Sequence, residues 1–387
     1  MPGSNGTVVV GGGQAGAEVA FALRAAGYHR PITLLCGERY LPYERPPLSK
    51  GVLTGATDPA KLVIRAARAY SAKQIDVRLD TRVVRIDRRS RCVHTESGDS
   101  FPFDSLVLAT GADAVRPPWA DTGRVHTIRT LDDVRAVRPG VRDRVAVLGG
   151  SFLGLEVASS LATLVKSVTV VESARRVLPG RVSEFTANRI RALHEQRGIR
   201  FVLGSRVDRV CAAPAGSVLE LAGGARVEAD WVVLSIGATP RDELARDCGI
   251  ATARGILVDP CCRTSDSGIY AIGDVAVTPA PAGTVVGIES VASAMTQARI
   301  AAAAITGTPP PAPRPETFWS EQFGTQLRIA GLVAAGRGVT DSVTEFEDGG
   351  FVVRRACAGT LVAVETFGSP KEFALGLREL TTTTTGR

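Results

Sequence analysis

The 387-residue chain is poor in aromatic side chains, at 5%, and so lacks the exposed rings on which single-stranded nucleic acids stack. Long apolar runs are missing too. Segments such as 145–148 and 231–234 fall far short of the ~20 residues that cross a bilayer, which predicts a soluble protein without membrane contacts. No basic and then apolar leader precedes the first β-branched run, so the cytoplasm is the expected location. The seven cysteines, at 36, 92, 211, 248, 261, 262 and 357, form no Cys-x-x-Cys and no metal-ligand spacing. They are read as reduced packing thiols, and no metal is expected. Charge of one sign is nowhere concentrated: the formal +7 comes from arginines spread over many segments, not from a nucleic-acid-binding tail. The positive balance suits an acidic protein partner.

What is present is glycine at two telling places. The run Thr7–Val10 leads into Gly11-Gly12-Gly13-Gln14-Ala15-Gly16 and an alanine-rich helical stretch to Ala26, with a buried strand expected at Ile32–Leu35. The pattern returns at mid-chain: strand Arg144–Leu148, turn Gly149-Gly150-Ser151-Phe152-Leu153-Gly154, a helix predicted over 155–164 and a strand over 167–171. Strands predicted over 105–109 and 231–236 end in Thr110-Gly111-Ala112 and Gly237-Ala238-Thr239-Pro240, which read as crossings between domains. The expected fold is α/β, with two doubly wound dinucleotide-binding domains and a C-terminal α+β domain. The first domain is discontinuous, 1–112 and 238–312; the second is 113–237; the C-terminal domain is 313–387, beyond a proline-rich linker at 308–315. Its β-rich alternation is expected to run to about Leu380 and to give way to a disordered threonine run.

A glycine turn between strand and helix lets backbone amides and the positive helix end approach a pyrophosphate. Gly11, Gly13 and Gly16 occupy the three places such a turn needs. Gly149 and Gly154 keep the outer two in the second turn, where Ser151 stands at the middle one. The serine adds bulk near the phosphates yet can donate a hydrogen bond to them, and retained binding is favoured. Glu172, after the following strand, is placed to accept from a ribose diol and to repel a 2′-phosphate, which favours NADH over NADPH. Arg175 and Arg176 could attract that phosphate or be solvated charges. Glu38 is the matching carboxylate of the first domain, and Cys36 beside it is read as packing. Tyr270-Ala271-Ile272-Gly273-Asp274-Val275 runs a strand into a carboxylate suited to a ribityl chain. Glu289-Ser290-Val291 opens a helix to about Ile305, whose dipole favours negative charge at its start.

These residues resemble the putidaredoxin reductase family, the FAD-dependent NADH–ferredoxin reductases that serve oxygenases. The likeness covers nearly the whole chain. It rests on Tyr43-Glu44-Arg45-Pro46-Pro47-Leu48-Ser49-Lys50, Leu108-Ala109-Thr110-Gly111, Arg129-Thr130-Leu131, Ala271-Ile272-Gly273-Asp274, Ile288-Glu289-Ser290-Val291 and Phe318-Trp319-Ser320-Glu321-Gln322. Pro-Pro-Leu-Ser-Lys together with Trp-Ser-Glu-Gln is specific. The resemblance implies a glutathione-reductase-like fold and bound FAD reduced by NADH, with single electrons passing to a small acidic ferredoxin that supplies a monooxygenase or Rieske dioxygenase. It implies that Lys50 lies beside the flavin's reactive edge, that Ala15, Glu38, Val83, Arg129, Asp274 and Val291 help hold FAD, that Glu156 meets the nicotinamide carboxamide, and that Trp319 sits near the isoalloxazine. With Gly11, Gly13, Gln14, Gly16, Arg45, Ala109, Thr110, Gly111, Gly149, Ser151, Phe152, Leu153, Gly154, Glu172, Gly237, Gly273, Glu289 and Ser290 these form the candidate site, in a monomer or homodimer. From the residues alone, Lys50 could equally be a surface charge and Trp319 a core side chain. The chain departs from the family at Gly287, where members often carry arginine, and in its brief C-terminal end.

Other readings use the same scaffold. A disulfide reductase or NADH oxidase needs a redox cysteine near the flavin, and residues 39–70 contain none. A redox-responsive interaction protein resembling apoptosis-inducing factor would bind NADH and turn over slowly. A degenerate flavin carrier would have lost nicotinamide binding through Ser151.

Overall fold

The computed structural model describes residues 5–120, 124–137, 143–213, 216–279, 285–333 and 338–385. The leader reading at 1–6 and the loop before Ile288 fall partly outside these. The chain divides into two compact units: residues 1–44, 60–113 and 238–312 form the first, and 45–59, 114–237 and 313–387 the second. The change at 312/313 falls inside the proline-rich stretch.

In the first unit, five parallel strands stand in the order Ile269–Ala271, Ser105–Leu108, Thr7–Val10, Ile32–Leu35, Ile75–Arg78. The run Val8-Val9-Val10 is buried on both faces, as parallel strands covered by helices require. Helix Gln14–Ala25 follows the glycine turn and packs along helix Val291–Thr306, alanine against alanine, with Ala17, Ala20, Ala298, Ala301 and Ala302 buried. Such small side chains let two helices approach closely over the sheet.

The second unit repeats the parallel plan in the order Arg200–Leu203, Ser167–Glu172, Arg144–Leu148, Trp231–Leu234, Val125–Thr127. Its helix spans Phe152–Leu161, three residues earlier than predicted at each end, because Ser151 caps it through the Gly154 N–H. The same unit carries an antiparallel sheet in the order Thr317–Gln322, Thr325–Gly331, Thr360–Phe367, Phe351–Cys357, Val339–Glu345. Leu327 and Ile329 of this sheet share a core with Leu155, Val177, Val182 and Ile190.

The C-terminal segment differs from expectation. Residues 370–380 are helical and not strand, and the threonine run is not a disordered tail but continues the same helix, Pro370–Thr385. Phe373, Leu377 and Leu380 recur on one face and pack on Ala330, Val352 and Val364. The Thr381 hydroxyl donates to the Leu377 carbonyl at 2.8 Å and that of Thr382 to Glu379 at 2.8 Å, so the hydroxyls bond within the helix.

Candidate functional site

At the first glycine turn, Gly11 has φ +119°, and a Cβ there would lie 2.1 Å from the Ala109 carbonyl oxygen. A Cβ on Gly16 would lie 1.9 Å from the Gly11 oxygen. Only glycine fits either place. Gly13, the middle glycine, has nothing within 4 Å of where its Cβ would be. No side chain caps the helix that starts at Gln14, so its leading amides face that open space, and the cradle fits a pyrophosphate.

Around this turn the structure gathers several predicted residues. A Cβ on Gly273 (φ +75°) would touch the Ala15 Cβ at 3.0 Å, and the Gly273 N–H donates to Gln297 Oε1 at 2.6 Å, fixing the bend into Asp274. Glu38 accepts from the Tyr43 hydroxyl at 2.7 Å. The Thr110 hydroxyl donates to the Arg241 carbonyl at 2.7 Å beside Gly111, whose φ is +73°. Ser290 caps helix Val291–Thr306 by accepting from the Ser293 N–H at 3.0 Å, next to Glu289. Val83 is buried at the head of strand Val83–Asp87.

Cys36 packs as the sequence suggests. A Cβ on Gly12 would meet its sulfur at 2.4 Å, and burial, then the charge of Glu38, pushes the thiol up to about 12. Burial does the same to Cys262, also to about 12. Both stay protonated and unreactive at neutral pH. Among the described residues no group of three or more His, Cys, Asp or Glu could hold a metal ion.

The second turn copies the first with one change. A Cβ on Gly149 (φ +102°) would stand 2.2 Å from the Ser235 oxygen, and one on Gly154 2.0 Å from the Gly149 oxygen. Ser151 turns inward. Its Oγ accepts from the Gly154 N–H at 3.2 Å, and the Ser235 carbonyl and hydroxyl oxygens lie 3.1 and 2.6 Å away to take its proton, which is not aimed at the phosphate position. Glu172 is buried, with Oε2 accepting from the Gly150 N–H at 2.7 Å and Oε1 from the Ala174 N–H at 2.7 Å. Arg176 donates to the Val182 carbonyl and Arg175 is exposed. Phe152 packs against Phe318 in a tilted pair with ring centroids 4.4 Å apart, Leu153 is half-buried, and Gly237 has φ +117°.

Glu156, one turn into helix Phe152–Leu161, is the hub of the second unit. Its Oε2 accepts from Ser49 Oγ at 2.6 Å and from Lys50 Nζ at 2.6 Å. Its Oε1 accepts from Ser320 Oγ at 2.6 Å and from the Glu321 N–H at 3.2 Å. Four donors fill the four acceptor positions of a carboxylate. The short turn Pro46–Ser49 delivers Ser49 and Lys50, and its preceding residue, Arg45, donates to the Arg129 carbonyl at 2.5 Å. Lys50 is no solvated surface charge: its side chain is 13% exposed, and Nζ lies 5.1 Å from the centre of the Trp319 ring. Trp319 is not a core residue, at 40% exposure. Strand alternation turns Trp319 outward and Ser320 and Gln322 inward, and Gln322 Nε2 donates to Ser320 Oγ at 2.9 Å. Ser49 and Ser320 escaped the sequence reading; the period of two in Trp-Ser-Glu-Gln was the signal available for the second.

Two parallel sheets, each with a glycine turn feeding a helix, define a protein with two dinucleotide-binding units. The chain belongs to the pyridine nucleotide-disulphide oxidoreductase family, which it matches over residues 6–298, and residues 317–385 match the reductase C-terminal family. It is 36% identical to the rubredoxin-NAD(+) reductase of Pseudomonas putida, over 95% of this chain and 97% of that one. It is 39% identical to the anthranilate 1,2-dioxygenase system ferredoxin–NAD(+) reductase component of Burkholderia cepacia, over 85% and 82%. Putidaredoxin reductase, in its covalent complex with putidaredoxin, superposes with a TM-score of 0.91 at 31% identity, covering 98% of this chain and 94% of that one. Fold and family thus agree with the resemblance read from the motifs. Among the described residues no helix is long and apolar enough to cross a membrane.

Proposed function

We propose that this protein is an FAD-dependent ferredoxin–NAD(+) reductase, which takes hydride from NADH and passes single electrons to a ferredoxin that supplies an oxygenase. The observation that carries the reading is the Lys50–Glu156 pair, buried one turn beyond the second glycine turn and flanked by exposed Trp319. When bound, FAD supplies the two-electron to one-electron conversion. Residues 1–112 and 238–312 hold it through the amides after Gly13, the carboxylates of Glu38 and Asp274, and the start of the helix at Val291. Residues 113–237 bind NADH, with Glu172 on the ribose and Glu156 on the carboxamide. Lys50 and Trp319 are assigned to the flavin; a lysine ammonium favours the negative charge of its reduced form. Hydride transfer needs alignment and a fixed electrostatic field, not a protein nucleophile, and Glu156 with its four donors is held for that task.

The acceptor is a small acidic ferredoxin, in keeping with the +7 charge, and the enzyme works in the cytoplasm as a monomer or homodimer. A disulfide reductase is the weaker reading, because residues 39–70 contain no cysteine to stand beside the flavin, and Cys36 and Cys262 are buried. Anaerobic stopped-flow absorbance tests the reading: NADH should bleach the oxidised flavin rapidly and NADPH more slowly. A colourless protein, or one indifferent to NADH, refutes it.

A further inference from the structure

We propose that Ser320 is a positioning residue for NADH binding, acting through Glu156, so that the first strand of the C-terminal sheet sets the nicotinamide site. This rests on the role given to Glu156 above. The Ser320 side chain is fully buried and its Oγ lies 2.6 Å from Glu156 Oε1. The direction of that bond is fixed by a neighbour: Gln322 Nε2 donates to Ser320 Oγ at 2.9 Å, which leaves the serine's single proton for the carboxylate. Ser49, equally buried, does the same on the other side, 2.6 Å from Oε2.

Each carboxylate oxygen therefore has one short neutral donor from a separate segment, at position 49 on one side and 320 on the other. Lys50 and the Glu321 N–H add one donor each. The ammonium supplies charge on a flexible stem, whereas a carboxylate gripped on both oxygens by buried hydroxyls cannot rotate about its last torsion. The two hydroxyls hold the carboxylate plane, so a carboxamide N–H that takes the place of the Lys50 ammonium on Oε2 meets an acceptor whose direction is already set. The strand that carries Ser320 also presents Trp319 outward, so one element serves two faces: its outer side chain is exposed and its inner one holds Glu156.

The test compares wild-type holoenzyme with Ser320→Cys, which keeps the branching with a somewhat larger atom that is a weak donor, and Ser320→Thr, which keeps the hydroxyl and adds a methyl group. Steady-state kinetics with NADH and an artificial acceptor give KM and kcat separately. Anaerobic NAD(+) titration of the reduced enzyme, followed by long-wavelength absorbance, gives affinity directly. In S320C, KM and the titration midpoint should both rise about tenfold, equivalent to about 1.4 kcal/mol. S320T should stay near wild type. An S320C enzyme with unchanged midpoint and KM, even if its melting temperature falls, overturns the proposal, since a merely structural serine would behave that way. An S320T enzyme as impaired as S320C overturns it as well, because shape and not the hydroxyl would be responsible. If the wild type itself is not reduced by NADH, it is the function that fails, a result distinct from either.

Discussion

A charge withdrawn from water is kept only where its partners repay the desolvation, and three carboxylates of the second unit meet that condition differently. Glu156 has a cation and three neutral donors; Glu156→Gln removes the counter-charge of a Lys50 that is 13% exposed. The variant should reduce its flavin with NADH up to ~100-fold more slowly in single-turnover stopped flow, while still folding around FAD. Glu172 is tied to two backbone amides, so it cannot swing aside for a 2′-phosphate. Glu172→Ser should narrow the NADH-over-NADPH preference in kcat/KM by roughly tenfold or more. Glu365, 1% exposed, accepts from the Ser183 N–H at 2.8 Å, the Ser183 hydroxyl at 2.7 Å and Arg355 at 3.2 Å. It is structural: Glu365→Ala should cost about 3 kcal/mol in urea unfolding with NADH kinetics intact in the folded fraction. Of these carboxylates the first two are legible in the sequence, because each stands at a set distance from a glycine turn. Glu365 is not, since its partner Ser183 is 182 positions away and no local pattern encodes the pairing.

Elements with a period are legible and elements defined by tertiary contact are not. Both strand–glycine–helix units follow from β-branched runs, glycine and alanine-rich stretches, and the structure moves the ends of their elements by one to three residues. The C-terminal helix was missed because five threonines argue against helix, while the apolar spacing of Phe373, Leu377 and Leu380 argues for it and wins through packing. Helix Glu184–Gln196 supplies a prediction of its own. His194 is fully buried, with Nδ1 2.9 Å from the Ile190 carbonyl and Nε2 3.2 Å from that of Leu155, the residue before Glu156. Burial, the largest cause, pushes its pKa below the ordinary 6.5 despite those carbonyls. The unfolded chain therefore binds a proton that the folded chain refuses, and stability is lost as pH falls below 6.5. A His194→Gln variant should show a flatter decline of the urea midpoint between about pH 6.5 and 5 than wild type.

At the scale of the molecule, the net charge of +7 with scattered arginines predicts an encounter with an acidic partner steered by its field. Second-order rates of ferredoxin reduction should fall as salt rises, by stopped flow from 20 to 500 mM NaCl, while the rate of reduction by NADH at saturation stays level. The two glycine turns, so alike in backbone, differ in a way that bears on how long each guest stays. The amides leading the first helix meet no side chain of their own, whereas Ser151 already claims the Gly154 N–H of the second. A pyrophosphate on the first turn would find every leading amide free and settle as a permanent lodger. One on the second would find one hand fewer held out, and would leave more readily. For a catalyst that retains one dinucleotide and must discharge the other after every cycle, a serine in place of the middle glycine trades grip for quick release on the side where departure is part of the work.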